Sequence, residues 1–512
     1  MSCSPNELDL RSLKPKMRSN FKFIAIVLFI GTAILACSSH SESQLDLRGK
    51  VKRLVLDNGM TFLLLKRDGA PTFSSQLVVK VGSIEEEPGE SGLAHFFEHM
   101  AFKGTNKIGT QDFAKEKPIL DEVLKVGTEI ARMKKAGKKP GEYAGLQKKL
   151  RELETKENTY TVKNEFFNIL QKNGAHDLNA ATSADFTMYY TSLPANKLEL
   201  WAYLESERLL HRVPREFFTE VDVVHEERRM SVDNTPEGRL FEAYLAAGFR
   251  VSPYRILTVG KAEDIQSYTP AAAQKFFDRY YIPARMVGVL VGNFNIAEAK
   301  DIIHRYFDKI PTRKDTAGLF AAEKFVPGEV RRVIVDEEVP PRFYLGYHRP
   351  AYPHADDIVF DVVQSLLCEG ETARLHRKIV IEDSLAEAVD CYATFPGERL
   401  DSLFTFDALP LGSHTNSEVH EAIRREINRL ATFGPSDEEL IVVKNRIDAE
   451  IIYAMQTNSG LAELLGYFET LTGGWEYLYE LQEKTHKVTR DDVKRVLKTY
   501  FVSEREVSAY LE

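Results

Sequence analysis

Gly92-Leu-Ala-His95-Phe-Phe-Glu98-His99-Met-Ala-Phe-Lys-Gly104-Thr105 sets two histidines and a glutamate into an otherwise apolar run. At about 100° per residue, His95 and His99 lie about 40° apart on one helical face, and Glu98 lies about 60° to the other side of His95. Two imidazoles at i and i+4 can share one zinc ion, and a neighbouring glutamate can act on a water there without being a ligand. The bland alternative is a pair of structural histidines with a buried charge. An unpaired glutamate in so apolar a segment costs several kcal/mol, a cost that a cation removes.

A catalytic zinc takes three protein ligands and a structural zinc takes four, so a further donor is required. Phe217-Phe-Thr-Glu220-Val-Asp-Val-Val-His-Glu-Glu227-Arg-Arg-Met230 reads as a helix in which Glu220 and Glu227 share one face, about 20° apart and two turns distant, while Glu226 points elsewhere. Taken alone, Glu-Glu-Arg-Arg also suits a solvated helix face with local ion pairs.

Outward from these stretches the pattern is orderly. Arg53–Leu56 and Met60–Leu65 read as a hairpin closed by a two-residue Asn-Gly loop, and Gln76–Val81 as a third strand. Residues 113 to 170 are charged and helical, broken at 136 to 141, and read as an αα-hairpin. Leu178–Ser183 and Thr187–Thr191 are strand-like, helices follow at 195 to 211 and 215 to 233, and Met286–Gly292 is a buried strand. After a polar stretch from Pro311 the order repeats. Strands are expected at Arg331–Val335, Phe343–Tyr347 and a pair near 388 to 409. Helices are expected at 356 to 368, 372 to 381, 416 to 432, 436 to 456, 459 to 470 and 490 to 500. The expected class is α+β: two homologous-looking α/β sandwich halves, each a mostly antiparallel sheet packed with helices, together forming a clamshell half. The expected division is residues 49–310 for the zinc-site half with the 113–170 insertion, 311–329 for a linker, and 330–512 for a second half without a zinc site.

The leader differs from everything after it. Arg18 and Lys22 precede the apolar run Phe23–Ala36, which ends at Cys37 and is shorter than the roughly 20 residues of a membrane span. Residues 1–36 read as a cleaved signal peptide and 37–48 as a polar tether, with Met17 an alternative start. Ile34-Leu-Ala-Cys37 resembles a bacterial lipobox in which Cys37 becomes lipidated. Ser38 after it resembles outer-membrane sorting, giving a periplasm-facing lipoprotein of the bacterial cell envelope. The alternative is an ordinary secretory signal with an incidental cysteine.

With 512 residues, of which 43% are hydrophobic and 28% charged, the chain has the material for several packed units and is not of disordered composition. Its net charge of -9 lacks the basic excess of a nucleic-acid binder. Four scattered cysteines supply neither a disulfide framework nor a thiolate zinc site, and the spacing leaves open whether Cys368 and Cys391 pair.

The Gly92–Thr105 stretch, with Leu178-Asn-Ala-Ala-Thr-Ser183 and Glu220–Glu227, resembles the pitrilysin family of inverted-motif zinc peptidases, which includes insulin-degrading enzyme and the mitochondrial processing peptidases. The resemblance spans roughly residues 50 to 512. It implies one zinc per chain held by His95, His99 and Glu227, Glu98 as general base, and Glu220 as a supporting acidic residue. Asn179 and Ala180 match the family's edge strand, which pairs with an extended peptide substrate by β-augmentation. The implied activity is zinc metalloendopeptidase, hydrolysing extended peptides or small unfolded polypeptides. The alternatives are a non-catalytic scaffold of the same shell, or a zinc hydrolase of another fold. Two departures stand out. The interval from His99 to Glu227 is long for the family. Where the second half usually carries an Arg and, seven residues on, a Tyr that hold substrate, this chain has Val380 and Glu387. It therefore resembles the catalytic half of a heterodimer with a zinc-less homologous subunit, a homodimer being the runner-up.

Overall fold

In the computed structural model, residues 46–316, 318, 320, 323 and 331–512 are described. The leader, Cys37 and most of the linker lie outside them. Two sheets organise the chain. The first has six strands in the order β1-β2-β6-β3-β5-β4, from β1 (Lys52–Val55), β2 (Thr61–Lys66), β3 (Thr72–Val79), β4 (His176–Thr182), β5 (Thr187–Pro194) and β6 (Met286–Gly292). Only β2 and β6 run parallel within it. The second has five strands in the order β7-β11-β8-β10-β9, from β7 (Arg331–Val335), β8 (Arg342–Arg349), β9 (Ala386–Phe395), β10 (Ser402–Pro410) and β11 (Glu506–Leu511). Here β7 and β11 are the parallel pair. The sequence β2-β6-β3-β5-β4 maps onto β7-β11-β8-β10-β9 position by position, so the expected repeat is one of topology as well as of element order.

The strand Thr61–Lys66 reads as an unbroken apolar run because it is covered on both faces. Phe62 and Leu64 enter one core with Leu290, while Leu63 and Leu65 enter another with Val287, Val289 and Val291. The turn before it departs from expectation. Leu56 N–H bonds Met60 C=O at 2.9 Å, which leaves Asp57, Asn58 and Gly59 as a three-residue loop rather than a two-residue one. Gly59 supplies the required φ of 93°, and the buried Asn58 amide donates to the carbonyls of Phe307 and Ile310 at 2.9 and 3.0 Å.

The expected αα-hairpin consists of helices Phe113–Lys135 and Pro140–Glu157, zipped by Val126, Ile130 and Tyr143, and is followed by a separate helix, Glu165–Lys172. The hairpin is more than an appendage. A Cβ on Gly127 would strike the Phe218 ring, so its first helix lies against the helix that carries Glu220 and Glu227.

The halves exchange helices, which the periodicity did not reveal. Helix Pro236–Gly248 of the first half lies on the second sheet. Tyr244 packs on Tyr344 with ring centroids 5.2 Å apart and its hydroxyl meets Thr405 Oγ1 at 2.7 Å. Gly346 is needed beneath it because a side chain there would occupy the Tyr244 hydroxyl position. In return, Leu461, Leu465 and Phe468 of helix Asn458–Thr472 join Leu63, Val289 and Val291 of the first sheet. Each sheet thus has one face closed by the other half. Cys368 and Cys391, left open by the sequence, form a disulfide with Cα atoms 5.7 Å apart, fastening helix Asp357–Cys368 to the edge strand β9.

A polar junction links the two β-turns nearest the exchange. Buried Asp185, in the β4–β5 turn, accepts from Tyr254 OH at 2.6 Å and from Glu398 N–H at 2.5 Å. Arg399 donates to the Asp185 carbonyl at 2.7 Å and to Glu85 at 2.8 Å. Removing one member of such a network leaves the others buried without partners, so Asp185→Ala is expected to lower stability by about 3 kcal/mol. Urea denaturation checks this, and an unchanged midpoint would contradict the junction's role.

Candidate metal centre

The helix Leu93–Met100 begins at Gly92, whose φ of 90° and close neighbours, Val259 C=O and Tyr268 OH, leave no room for a side chain. The Glu86 carboxylate caps this end, accepting from Gly92 N–H at 2.7 Å and Ala94 N–H at 2.8 Å. Leu93, Ala94, Phe96, Phe97 and Met100 are buried, Phe96 against Phe217 with centroids 4.9 Å apart and Phe97 stacked on Phe276 at 5.6 Å. With the apolar side fixed, His95, Glu98 and His99 face the opposite way.

The second wall is helix Phe217–Arg228. Its start is pinned by fully buried Arg215, which donates to the carbonyls of Lys103, Thr105 and Ile108 and pairs with Glu116. Arg215 therefore joins the loop after the His95 helix, the insertion hairpin and the Glu220 helix at one point. A long interval between His99 and Glu227 is compatible with a compact site because the inserted hairpin is tied back at its base.

These two helices bring His95, His99 and Glu227 together, with one ligand atom from each within 4.8 Å of the others. Glu227 Oε1 is 3.7 Å from His95 Nε2, and its Oε2 is 3.5 Å from His99 Nε2. Both separations are long for hydrogen bonds. Two donors about 2.1 Å from a common zinc ion at a tetrahedral angle stand about 3.4 Å apart, so this donor set fits such an ion. Glu220 does not join the triad. It is buried and accepts from His99 Nδ1 at 3.2 Å, leaving Nε2 directed at Glu227. Lys103 bridges Glu220 and Glu216, the latter at 3.1 Å. A carboxylate behind a ligating imidazole fixes its tautomer and ring orientation. Glu226 turns outward and pairs with Arg229 at 2.7 Å, as the helical register requires.

Electrostatics agree with a site completed by a cation. Burial, with His99 beside it, pushes His95 down to about 3, which keeps it neutral as a ligand must be. His99 is raised: burial opposes the charge, and the Glu220 bond and the Glu227 and Glu98 carboxylates outweigh it. Burial raises Glu98 and Glu227. Glu220 is lowered because its bonds to His99 and Lys103 outweigh its burial.

Asn179 and Ala180 lie on β4, the terminal strand of the first sheet, opposite Tyr190 and Tyr189 of β5. Among the described residues no strand pairs with the other edge of β4. Ala180 is buried toward the His95 helix and Asn179 is exposed. Thr182, on the same strand, donates from Oγ1 to Glu98 Oε2 at 2.7 Å. Thr182 and Lys103 were the site residues missed by sequence reasoning. Both lie inside quoted motifs, but their partners are distant in the chain and no local spacing signals them. Val380 lies in the helical turn His376–Glu382, and Glu387 is exposed on the edge strand β9.

A two-sheet fold with a His-x-x-Glu-His helix facing a glutamate helix defines the architecture of an inverted-motif metallopeptidase. Residues 62–118 match the family model described as insulinase, peptidase family M16, and residues 267–447 match the one described as the peptidase M16 inactive domain. The zinc protease PqqE of Helicobacter pylori is 25% identical over 488 residues, covering 93% of this chain and 96% of that protein. A mitochondrial-processing peptidase subunit beta from Blastocladiella emersonii is 23% identical, covering 88% of this chain and 86% of its own. The crystal structure of a protease from Helicobacter pylori superposes with a TM-score of 0.76 at 23% identity, covering 90% of this chain and 99% of that one. Together these matches support peptidase family M16 as the family of this chain.

Proposed function

We propose that this protein is a zinc-dependent endopeptidase acting on extended peptides or small unfolded polypeptides in the bacterial cell envelope. The observation that carries the reading is the convergence of His95, His99 and Glu227 next to a glutamate, Glu98, tethered to a sheet edge that no strand among the described residues covers. When bound, zinc polarises a peptide carbonyl and acidifies water. The chain's own residues do the rest. Glu220 holds the His99 ring, β4 around Asn179 and Ala180 offers backbone groups to an extended peptide, and Glu98 takes a proton from the attacking water and returns it to the leaving amine. The expected result is cleavage of an unfolded polypeptide by the purified zinc-loaded chain and none by the same chain stripped of metal. Equal cleavage in both would sink the reading.

Partnership belongs to the same proposal. Val380 and Glu387 offer no guanidinium or phenol to a developing oxyanion, and loss of one such donor typically costs about a hundredfold in rate. A zinc-less homologous subunit supplying them is the favoured partner, with a second copy of the chain as the alternative. Weak activity alone and a rise of about a hundredfold with that subunit are expected. Full activity from an isolated monomer or homodimer would contradict this. The envelope location rests on the leader. No described helix is long and apolar enough to cross a membrane. A lipid on Cys37 predicts that Cys37→Ser releases the protein into the soluble periplasmic fraction.

A further inference from the structure

We infer that Thr182 is a positioning residue that ties the general base Glu98 to the very strand on which the peptide docks, so that base and scissile bond share one register; this rests on the peptidase reading above. Three observations converge. Thr182 Oγ1 stands 2.7 Å from Glu98 Oε2. Directly across the ladder, Thr187 Oγ1 donates its hydrogen to Val81 C=O at 2.9 Å and reaches Thr182 Oγ1 only at 3.5 Å. With its own hydrogen given to Val81, Thr187 can only accept from Thr182, and at 3.5 Å it is a poor acceptor beside the Glu98 carboxylate at 2.7 Å, which takes the Thr182 hydrogen in a charge-assisted bond. Finally, side chains alternate along β4, so Thr182 shares the inward face of Ala180, which packs in the core with the His95 helix. Asn179 lies on the other face and in reach of Tyr190.

A peptide added to the outer edge of β4 takes its register from the β4 backbone. Glu98 takes its own from a side chain of that strand. Without the tether, a long side chain with several rotatable bonds must be ordered during the reaction, and a misplacement of about 1 Å can cost about a hundredfold. The bond also survives the catalytic cycle. Oε2 accepts from Thr182 when Glu98 is ionised, and it still accepts when the proton sits on Oε1, because Oε2 is then the carbonyl oxygen of the acid. Thr182 therefore acts on the chemical step and is nearly silent in peptide binding.

The test compares Thr182→Val and Thr182→Ser in the full-length zinc-loaded protein, with any subunit it needs for activity. Valine keeps the shape and strand preference of threonine and removes the hydroxyl, while serine keeps the hydroxyl. Thr182→Val should lower kcat about 10- to 100-fold with KM changed by less than about threefold and zinc content unchanged, and Thr182→Ser should stay within about threefold of the parent. If valine at this position prevents folding, Thr182→Ala against Thr182→Ser gives the same comparison. Unchanged kcat in the hydroxyl-free variant, a loss carried by KM, or a serine variant as poor as valine would each overturn the inference. A Glu98→Gln control separates the outcomes. If it leaves hydrolysis intact, Glu98 is not the base and the tether has nothing to position, whereas the peptidase reading itself fails only if the parent protein cleaves equally with and without zinc. If it abolishes hydrolysis while Thr182→Val does nothing, only the tether fails.

Discussion

Glu98→Gln lowers peptide hydrolysis at least about a hundredfold while the protein keeps its fold and its zinc. The amide matches the carboxylate in shape, and its oxygen can still accept the Thr182 hydroxyl that now meets Oε2 at 2.7 Å. What it cannot do is take a proton from water and return it to an amine. Because Glu98 is not in the triad of donor atoms, metal content should be unchanged. Steady-state hydrolysis of a defined peptide, with metal analysis of the same sample, checks both statements. Near-normal turnover would reject Glu98 as the base, and loss of zinc would place it among the ligands.

The second large effect distinguishes two adjacent glutamates. Glu227→Gln removes the anionic donor facing both imidazoles, at 3.7 Å from His95 Nε2 and 3.5 Å from His99 Nε2. Zinc affinity should fall by more than the roughly 10- to 100-fold cost of losing a partner that only orients a ligand. Glu220→Gln, which affects the bond behind His99, should fall within that smaller range of about 10- to 100-fold. Glu226→Gln should leave affinity unchanged, since Glu226 turns outward to Arg229. Competition with a chelator of known affinity measures all three. Equal losses at Glu226 and Glu227 would mean that the helix presents a different face to the histidines.

The motif helix and the glutamate helix were legible because their information is local. Spacing of four residues puts His95 and His99 on one face, and spacing of seven does the same for Glu220 and Glu227, so the register survived into the structure. Strands such as Met286–Gly292 were legible as unbroken apolar runs. The exchange of helices was not, because nothing in the period of Pro236–Gly248 or Asn458–Thr472 says which sheet an apolar face will cover. Strand β11, at the chain end, escaped because its place beside β7 depends on pairing with residues far away in sequence. The same distance hid Thr182 and Lys103. Each makes its decisive bond to a residue on another element, and a residue type in a motif does not announce such a partner. The Asn-Gly turn shows the opposite failure, a favoured local signal adjusted by a tertiary demand, since the buried Asn58 amide is held by two carbonyls near residue 310.

Cleavage of one unfolded polypeptide, followed by mass spectrometry for the zinc-loaded protein together with a zinc-less homologous subunit, tests the central claim most directly. The account predicts new internal peptide ends that vanish when zinc is removed and return when it is restored. An intact polypeptide in the presence of a protein shown to carry one zinc per chain would contradict it and would leave the two-sheet shell as a binding scaffold.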